Sequence, residues 1–201
     1  MSGHVVLGRA LAAAAVLVLA ACSDDDAVGP TTTIAATSVP AAECLPADPD
    51  LLVDQIADAV AAVEAQLGGP QRFFEVNATA VEVTVIVADV DAGTATPFRF
   101  RDGTLLQGDP LEGSGLTFAA DQLVFDPRRV IACVDQQLPT STLGMFYVIA
   151  TEAGGVRRAV LVTSSAGGQL EVEVGDDGTI AGVDPLGEDD AASVDPAATG
   201  D

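Results

Sequence analysis

The sequence predicts an α+β fold in which two tandem αβββ units form one antiparallel sheet with both helices on one face. Each unit begins with an Asp-Pro helix start, continues with three strand-like runs and closes with an Asp-Gly-Thr turn. The offset between the copies is 78 residues at the helices (130 − 52) and 75 at the closing turns (177 − 102). A helix with three strands cannot bury both faces of its sheet alone, so we expect the two units to merge.

The first unit is predicted to span residues 44–106. Asp48 fits the N-cap and Pro49 the first position of a helix, apolar residues follow at helical spacing, and Gly68-Gly69-Pro70 ends the helix. The closing turn is Asp102-Gly103-Thr104. Between the helix and this turn lie three strand-like runs, at 72–76, 80–88 and 95–101.

The second unit is predicted to span residues 122–185, after a linker at 107–121 that is rich in Gly and polar residues. Asp126-Pro127 repeats the helix start, and Leu138-Pro139 stops a shorter helix. The strand-like runs of this unit are at 144–151, 156–164 and 169–174.

Strand composition indicates positions within the sheet. Residues 145–150 are apolar at consecutive positions, which is typical of a strand that is covered on both faces or centrally placed. By contrast, residues 170–174 alternate Leu or Val with Glu, and residues 98–101 alternate Phe with Arg, so each run predicts one solvated face. If these two runs are neighbours, their Arg and Glu side chains are expected to pair across strands.

The N-terminal residues resemble the signal of a bacterial lipoprotein precursor. Arg9 precedes an apolar run, and Leu19-Ala20-Ala21-Cys22 resembles a lipobox, which predicts a signal peptide at 1–21. The resemblance implies that Cys22 is diacylated, becomes the mature N-terminus and holds the protein on the extracytoplasmic face of the cell membrane. A transmembrane anchor is the alternative, but it needs about 20 apolar residues and this run is shorter.

Two segments are predicted to be disordered. Residues 22–43 are small, polar and unpatterned and predict a flexible tether, and residues 186–201 predict an acidic tail. All eight basic residues are Arg, and Ala, Gly, Val and Asp abound, as GC-rich coding would produce. This bias favours an actinobacterial-type source.

With Cys22 assigned to the anchor, Cys44 and Cys133 remain as an even pair in an exported, oxidising compartment. A disulfide is the prediction, and two buried unpaired thiols are the alternative. The bridge would close a loop of 89 residues and stabilise the fold by roughly 4 kcal/mol. It would also tie the two units together.

Composition narrows the chemistry of the mature chain. The only histidine, His4, is removed with the signal, and the sequence has no Lys and no Trp, which excludes His-based catalysis, Schiff-base lysines and His-containing zinc sites. We therefore predict no catalytic residue, no metal site and no cofactor. Residues 89–93 faintly resemble a calcium loop, although a hairpin turn is the better interpretation.

The net charge and the predicted fold limit the kinds of partner that we expect. The net charge of −22 makes nucleic acid a poor partner, while an outward-facing Arg157 or Arg158 could grip an anionic partner. The order of elements over residues 48–184 resembles PepSY-like and β-lactamase-inhibitor-like modules, which implies a fold but no binding residues.

We predict a non-enzymatic binding or accessory module of the cell envelope, with another envelope protein as its partner. A carrier of an apolar or lipid ligand, held between sheet and helices, is the first alternative, and a carboxylate-based enzyme is the second. The sequence leaves the oligomeric state open.

Overall fold

The computed structural model describes Cys44 and residues 50–186. The predicted signal peptide, Cys22, the tether, the Asp48-Pro49 helix start and the acidic tail beyond Leu186 lie outside the described residues. Within this part of the chain, no helix is long and apolar enough to cross a membrane.

The described residues form an α+β fold with two α-helices and one antiparallel sheet of nine strands. The strand order is β4-β3-β2-β1-β6-β7-β8-β9, and β5 pairs with β3 beside β4. The predicted class and the antiparallel sheet are thereby confirmed. The elements are β1 (Phe73–Ala78), β2 (Val83–Asp89), β3 (Thr94–Arg101), β4 (Thr104–Gln107), β5 (Leu111–Glu112), β6 (Ser141–Ala150), β7 (Val156–Ser164), β8 (Gln169–Val174) and β9 (Ile180–Leu186), with α1 (Ile56–Leu67) and α2 (Pro127–Gln137).

The helix boundaries follow local chemistry. Gly68 adopts the left-handed conformation with φ 82° and ends α1, as the Gly-Gly-Pro stretch predicts. At the start of α2 the Asp126 carboxylate accepts a hydrogen bond from the Arg129 backbone N–H at 3.1 Å, and Pro127 occupies the first turn. The predicted N-cap of this helix is therefore confirmed.

Strand β6 lies in the middle of the sheet, between β1 and β7. Its residues Phe146, Tyr147 and Val148 are all buried, although successive side chains point to opposite faces. The prediction that the apolar stretch 145–150 is central is confirmed.

Each half of the chain contains a strand that the sequence analysis did not predict. Asp102 and Gly103 have φ of 50° and 74°, which is typical of a type I′ hairpin turn, so the chain folds back as β4. In the second half Gly178 has φ of 87°, and β9 then pairs with β8. Pro185 is tolerated in β9 because that strand lies at the edge of the sheet.

One face of the sheet packs against both helices, and we call it the helix face. Val60 and Val63 of α1 and Val130 and Val134 of α2 join one hydrophobic core with alternate residues of the strands. The opposite face carries the remaining strand residues, and we call it the open face. Core residues on the helix face include Val76, Val85, Phe98, Phe146, Val160 and Val172.

The predicted linker, residues 107–121, returns to the sheet. Its strand β5 pairs with β3, and Phe118 is fully buried. Phe118 and Phe73 exchange two backbone hydrogen bonds, at 2.8 and 3.0 Å, and their ring centroids are 5.8 Å apart. Phe118 is therefore part of the hydrophobic core, while Leu111 and Leu116 of the same segment are exposed.

Cys44 and Cys133 lie at disulfide distance, with their Cα atoms 5.1 Å apart, as the sequence predicts. Both residues are buried. The bridge connects the segment before α1 with α2. A Cβ atom at Gly178, in the β8–β9 turn, would lie 2.8 Å from the Cys133 Sγ, so this turn packs directly on the bridge.

Candidate functional site

The open face is the candidate site because its side chains are partly exposed and varied in chemistry. The central row runs across five strands in register, and it combines apolar and charged groups: Pro97, Ile86, Glu75, Ile149 and Arg157. The next row is more polar: Arg99, Thr84, Asn77, Tyr147, Ala159 and Glu173. Of these two rows only Tyr147 and Ala159 are buried.

Tyr147, Arg157 and Glu171 form a polar cluster on the open face. The Tyr147 hydroxyl donates a hydrogen bond to one carboxylate oxygen of Glu171, and the Arg157 guanidinium forms a salt bridge with the other. The Arg157 Nη2 also lies 3.4 Å from the Tyr147 hydroxyl, and its guanidinium is 5.8 Å from the ring centroid. The cluster therefore links strands β6, β7 and β8.

A small residue in β7 makes this cluster possible. Tyr147 on β6 reaches Glu171 on β8, so its side chain must cross β7. The β7 residue in register with Tyr147 is Ala159, which is fully buried although it lies on the open face. A larger side chain at this position would block the crossing.

The cluster fixes the protonation of its members. Burial and the hydrogen bond to Glu171 raise the pKa of the Tyr147 phenol far above its usual value. Burial opposes ionisation of Glu171, but the hydrogen bonds from Tyr147 and Arg157 outweigh it and lower the pKa of this carboxyl. At neutral pH the phenol is a donor and the carboxylate is an acceptor, so the cluster braces three strands and supplies no free base.

Replacing Glu171 by Gln should lower the free energy of unfolding by about 1–2 kcal/mol at pH 7, because Arg157 would lose its counter-charge in a half-buried position. The contribution of Glu171 is present above its unfolded pKa and is lost as the pH falls through its lowered folded pKa. Urea unfolding of Glu171→Gln and wild type should therefore converge in acid. Glu173→Gln, one row away, should change stability less, and an equal loss would contradict this role.

The two arginines of β7 point to different faces. Arg158 lies on the helix face, 5.2 Å from the Phe125 ring centroid, and burial lowers its pKa. Arg157 alone of the two is on the open face, where Glu171 engages it. The pairing of the β3 arginines with the β8 glutamates was expected only if the two strands were neighbours, and β2, β1, β6 and β7 separate them.

A recess of about 380 Å³ lies on the open face beside the central row, and we call it the open-face recess. A β-bulge between Phe73 and Glu75 leaves Phe74 without a strand partner at its edge. Loop 113–116 contributes the opposite wall, and it approaches so closely that a Cβ at Gly113 would lie 2.6 Å from the Ala95 Cβ. The side-chain lining is mostly apolar: Phe74, Ile86, Ala95, Leu116, Ile149 and Ala150.

A second cavity of about 530 Å³ adjoins the recess and shares Gly113 and Ser114 with it. Glu112 and the turn between β2 and β3, at Ala92 and Gly93, contribute to its lining. The two cavities thus meet at this loop, with mostly apolar side chains lining one and the Glu112 carboxylate lining the other.

A groove of about 390 Å³ lies on the other side of the molecule, between α1 and the segment that precedes α2. Ile56, Val60 and Phe125 contribute apolar lining, and Asp54 at its border forms a salt bridge of 3.2 Å with Arg128. The carrier hypothesis expects a cavity between sheet and helices, and a smaller cavity of about 270 Å³ lies there, lined by Leu67 of α1 and by Val87 and Phe98 of the sheet.

The turn carboxylates of Asp89 and Asp177 accept hydrogen bonds from the backbone. Asp89 accepts a hydrogen bond from the Ala92 N–H at 2.9 Å, and Asp177 accepts one from the Thr179 N–H at 2.9 Å. The backbone bond lowers the pKa of Asp177. Among the described residues, no three His, Cys, Asp or Glu side chains are grouped so that they could hold a metal ion.

No family model, curated protein or solved structure matches this chain.

Proposed function

We propose that this protein is a lipid-anchored, extracytoplasmic lipoprotein whose domain is a non-enzymatic binding module. In this proposal the open face contacts another protein of the cell envelope. The observation that carries it is the open-face recess, an apolar depression on the side of the sheet away from the helices.

The composition of the open face supports a protein contact. Antiparallel sheets with one solvated face usually alternate apolar and polar residues cleanly. Here Ile86, Met145, Ile149 and Leu161 lie on the solvated face and are partly exposed near its centre. Apolar side chains bordered by charged ones are typical of interaction surfaces.

The rigid support of this surface also favours binding. The cluster of Tyr147, Arg157 and Glu171 joins three strands next to Ile149. A preorganised surface loses little conformational entropy when a partner associates. All three groups are saturated by one another, which favours a positioning role over acid-base catalysis.

We also propose that the domain arose from two related units. In the strand order, β1 and β6 meet at the centre, and β2, β3 and β4 follow outward on one side as β7, β8 and β9 do on the other. One helix precedes each set in the chain. The recurring Asp-Gly-Thr turns fall before the two outermost strands, β4 and β9, which supports this origin.

The anchor is tested by Cys22→Ser. We expect the wild-type protein to sediment with membranes and to require detergent for release, whereas the variant stays in the soluble fraction. A variant that remains on washed membranes would contradict lipid attachment.

The contact is tested by photo-crosslinking in intact cells. A photoreactive amino acid at Thr84, which is partly exposed on the open face, should give a discrete crosslinked product. The same residue at Asp135, exposed on α2, is the matched control and should not. Equal products from both positions, or products from Asp135 alone, would contradict the open face as the contact surface.

A carrier of an apolar ligand is the second candidate, with the ligand on the open face and not between sheet and helices, and the apolar lining of the open-face recess favours it. Native mass spectrometry of gently purified protein distinguishes the two functions. A stoichiometric, non-covalently bound lipid that is lost in Ile149→Ser would support the carrier, and protein with no mass beyond its covalent anchor would support the protein contact.

A further inference from the structure

We infer that the open-face recess and the adjoining acidic cavity bind a basic, extended peptide segment of the partner, with one apolar side chain in the recess and a neighbouring cation beside Glu112. This inference rests on the proposed function and names the chemistry of the partner at that site.

The recess suits a side-chain anchor. Its volume of about 380 Å³ is at the small end of the range for ligand pockets, and it is open to solvent along one side. Phe74, Ile86, Leu116 and Ile149 present aliphatic and aromatic surface to it. Burying one Leu or Phe side chain there should strengthen binding roughly ten- to a hundredfold, as expected of a peptide anchor residue.

The charges around the recess favour a partner segment with positive charge. Glu75 lies between Ile86 and Ile149 in the central row, and its Oε1 accepts a hydrogen bond from Asn77 at 2.6 Å. Glu112 is exposed and lines the adjoining cavity across loop 113–116. A ligand that crosses the loop from the recess therefore meets the Glu112 carboxylate on the far side, while Glu75 lies in the central row beside the recess.

The two arginine side chains near the recess contact residues other than Glu112. Arg72 donates hydrogen bonds to the Thr117 hydroxyl at 3.1 Å and to the Thr117 carbonyl at 2.5 Å. Arg157, next to Ile149, forms its salt bridge with Glu171. Neither guanidinium forms a salt bridge with Glu112, so this exposed carboxylate can pair with a Lys or Arg of a partner.

Charge disfavours the occupants that this chain could itself supply. Residues 22–43 and 187–201 contain acidic residues and no basic one, so either segment would place carboxylates against Glu75 and Glu112. A second copy would bring another net charge of −22. Like charges oppose both arrangements, and a basic partner segment satisfies the site.

The test uses the full-length protein in detergent and a synthetic hexapeptide, capped at both ends, with one Phe flanked by Lys. Binding is measured by isothermal titration at low and at physiological salt. We expect saturable binding that weakens with salt, and about tenfold weaker binding of the matched peptide in which Asp replaces each Lys.

Two variants test whether the peptide binds in the recess and beside Glu112. Ile149→Ser removes apolar surface from the recess and should weaken binding about tenfold. Glu112→Gln is an exposed, isosteric change that preserves folding, and it should weaken binding about threefold and reduce the salt dependence. Asp135→Asn on α2 is the matched control and should bind as wild type does.

Equal binding of the Lys and Asp peptides would overturn the inference, as would binding that neither Ile149→Ser nor Glu112→Gln changes. Concentration-dependent dimerisation lost in Glu112→Gln would also overturn it, in favour of a second copy. If crosslinking at Thr84 succeeds while the Lys peptide shows no preference, this inference fails and the proposed function stands. If crosslinking fails at the open face, the proposed function fails regardless of the peptide result.

Discussion

Replacing Cys44 and Cys133 together by Ala should lower the free energy of unfolding by about 4 kcal/mol. The bridge closes a loop of 89 residues, and without it the unfolded chain regains that conformational freedom. Ala is chosen because both positions are buried and apolar, so the substitution introduces no unpaired polar group.

Denaturant unfolding of the double variant and of wild type measures this effect under non-reducing conditions. The packing of Gly178 against Cys133 adds a local cost, because the variant leaves space beside the β8–β9 turn. Wild type in the presence of reductant is the control and should approach the variant. A variant within about 1 kcal/mol of oxidised wild type would show that the bridge contributes little.

Phe118→Ala should lower the free energy of unfolding by about 3–5 kcal/mol, the range for a buried Phe truncated in a core. Phe118 is fully buried, packs on Phe73 and shares two backbone hydrogen bonds with it. Its loss leaves a cavity between β1 and the segment that leads to α2. Thermal or urea unfolding followed by circular dichroism measures the change.

Leu116→Ala is the matched control for this prediction. Leu116 lies two residues earlier and is 51% exposed, so its truncation should change stability by about 0.5 kcal/mol or less. A small effect at both positions would mean that residues 107–121 act as the linker that the sequence predicts. A large effect at Phe118 alone would establish the segment as part of the core.

Local sequence signals predicted the elements whose formation depends on local chemistry. The Asp126 cap and Pro127 define the start of α2 through one hydrogen bond and one fixed φ. The apolar stretch 145–150 predicted a central strand because burial on both faces removes the need for polar alternation. The cysteine pair was predicted from an even count in a chain that is expected to be exported.

The short outer strands were missed because their sequences carry little periodicity. β4 has four residues and β5 two, and both take their conformation from pairing with β3. In β9 a Gly and a Pro interrupt the strand pattern. The strand conformation of these segments depends on pairing with neighbouring strands. The Asp-Gly-Thr turns were the one local sign that the chain folds back.

The candidate site was not predictable from the sequence because it depends on strand order. Tyr147 and Glu171 are separated by 24 residues and meet diagonally across β7, where the residue in register with Tyr147 is the small Ala159. The recess likewise requires the bulge at Phe74 and the approach of loop 113–116 to Ala95. No spacing rule in one sequence specifies such contacts.

Pro185 lies in the edge strand β9 and affects whether neighbouring molecules can associate through that edge. A sheet edge presents unpaired backbone groups that invite edge-to-edge aggregation, and copies held on one membrane by the proposed anchor would meet often. In β9, Pro185 removes one amide donor and Asp184 adds an exposed charge. We therefore expect β9 to resist the addition of a strand from a second copy, which leaves the molecules separate at this edge of the sheet.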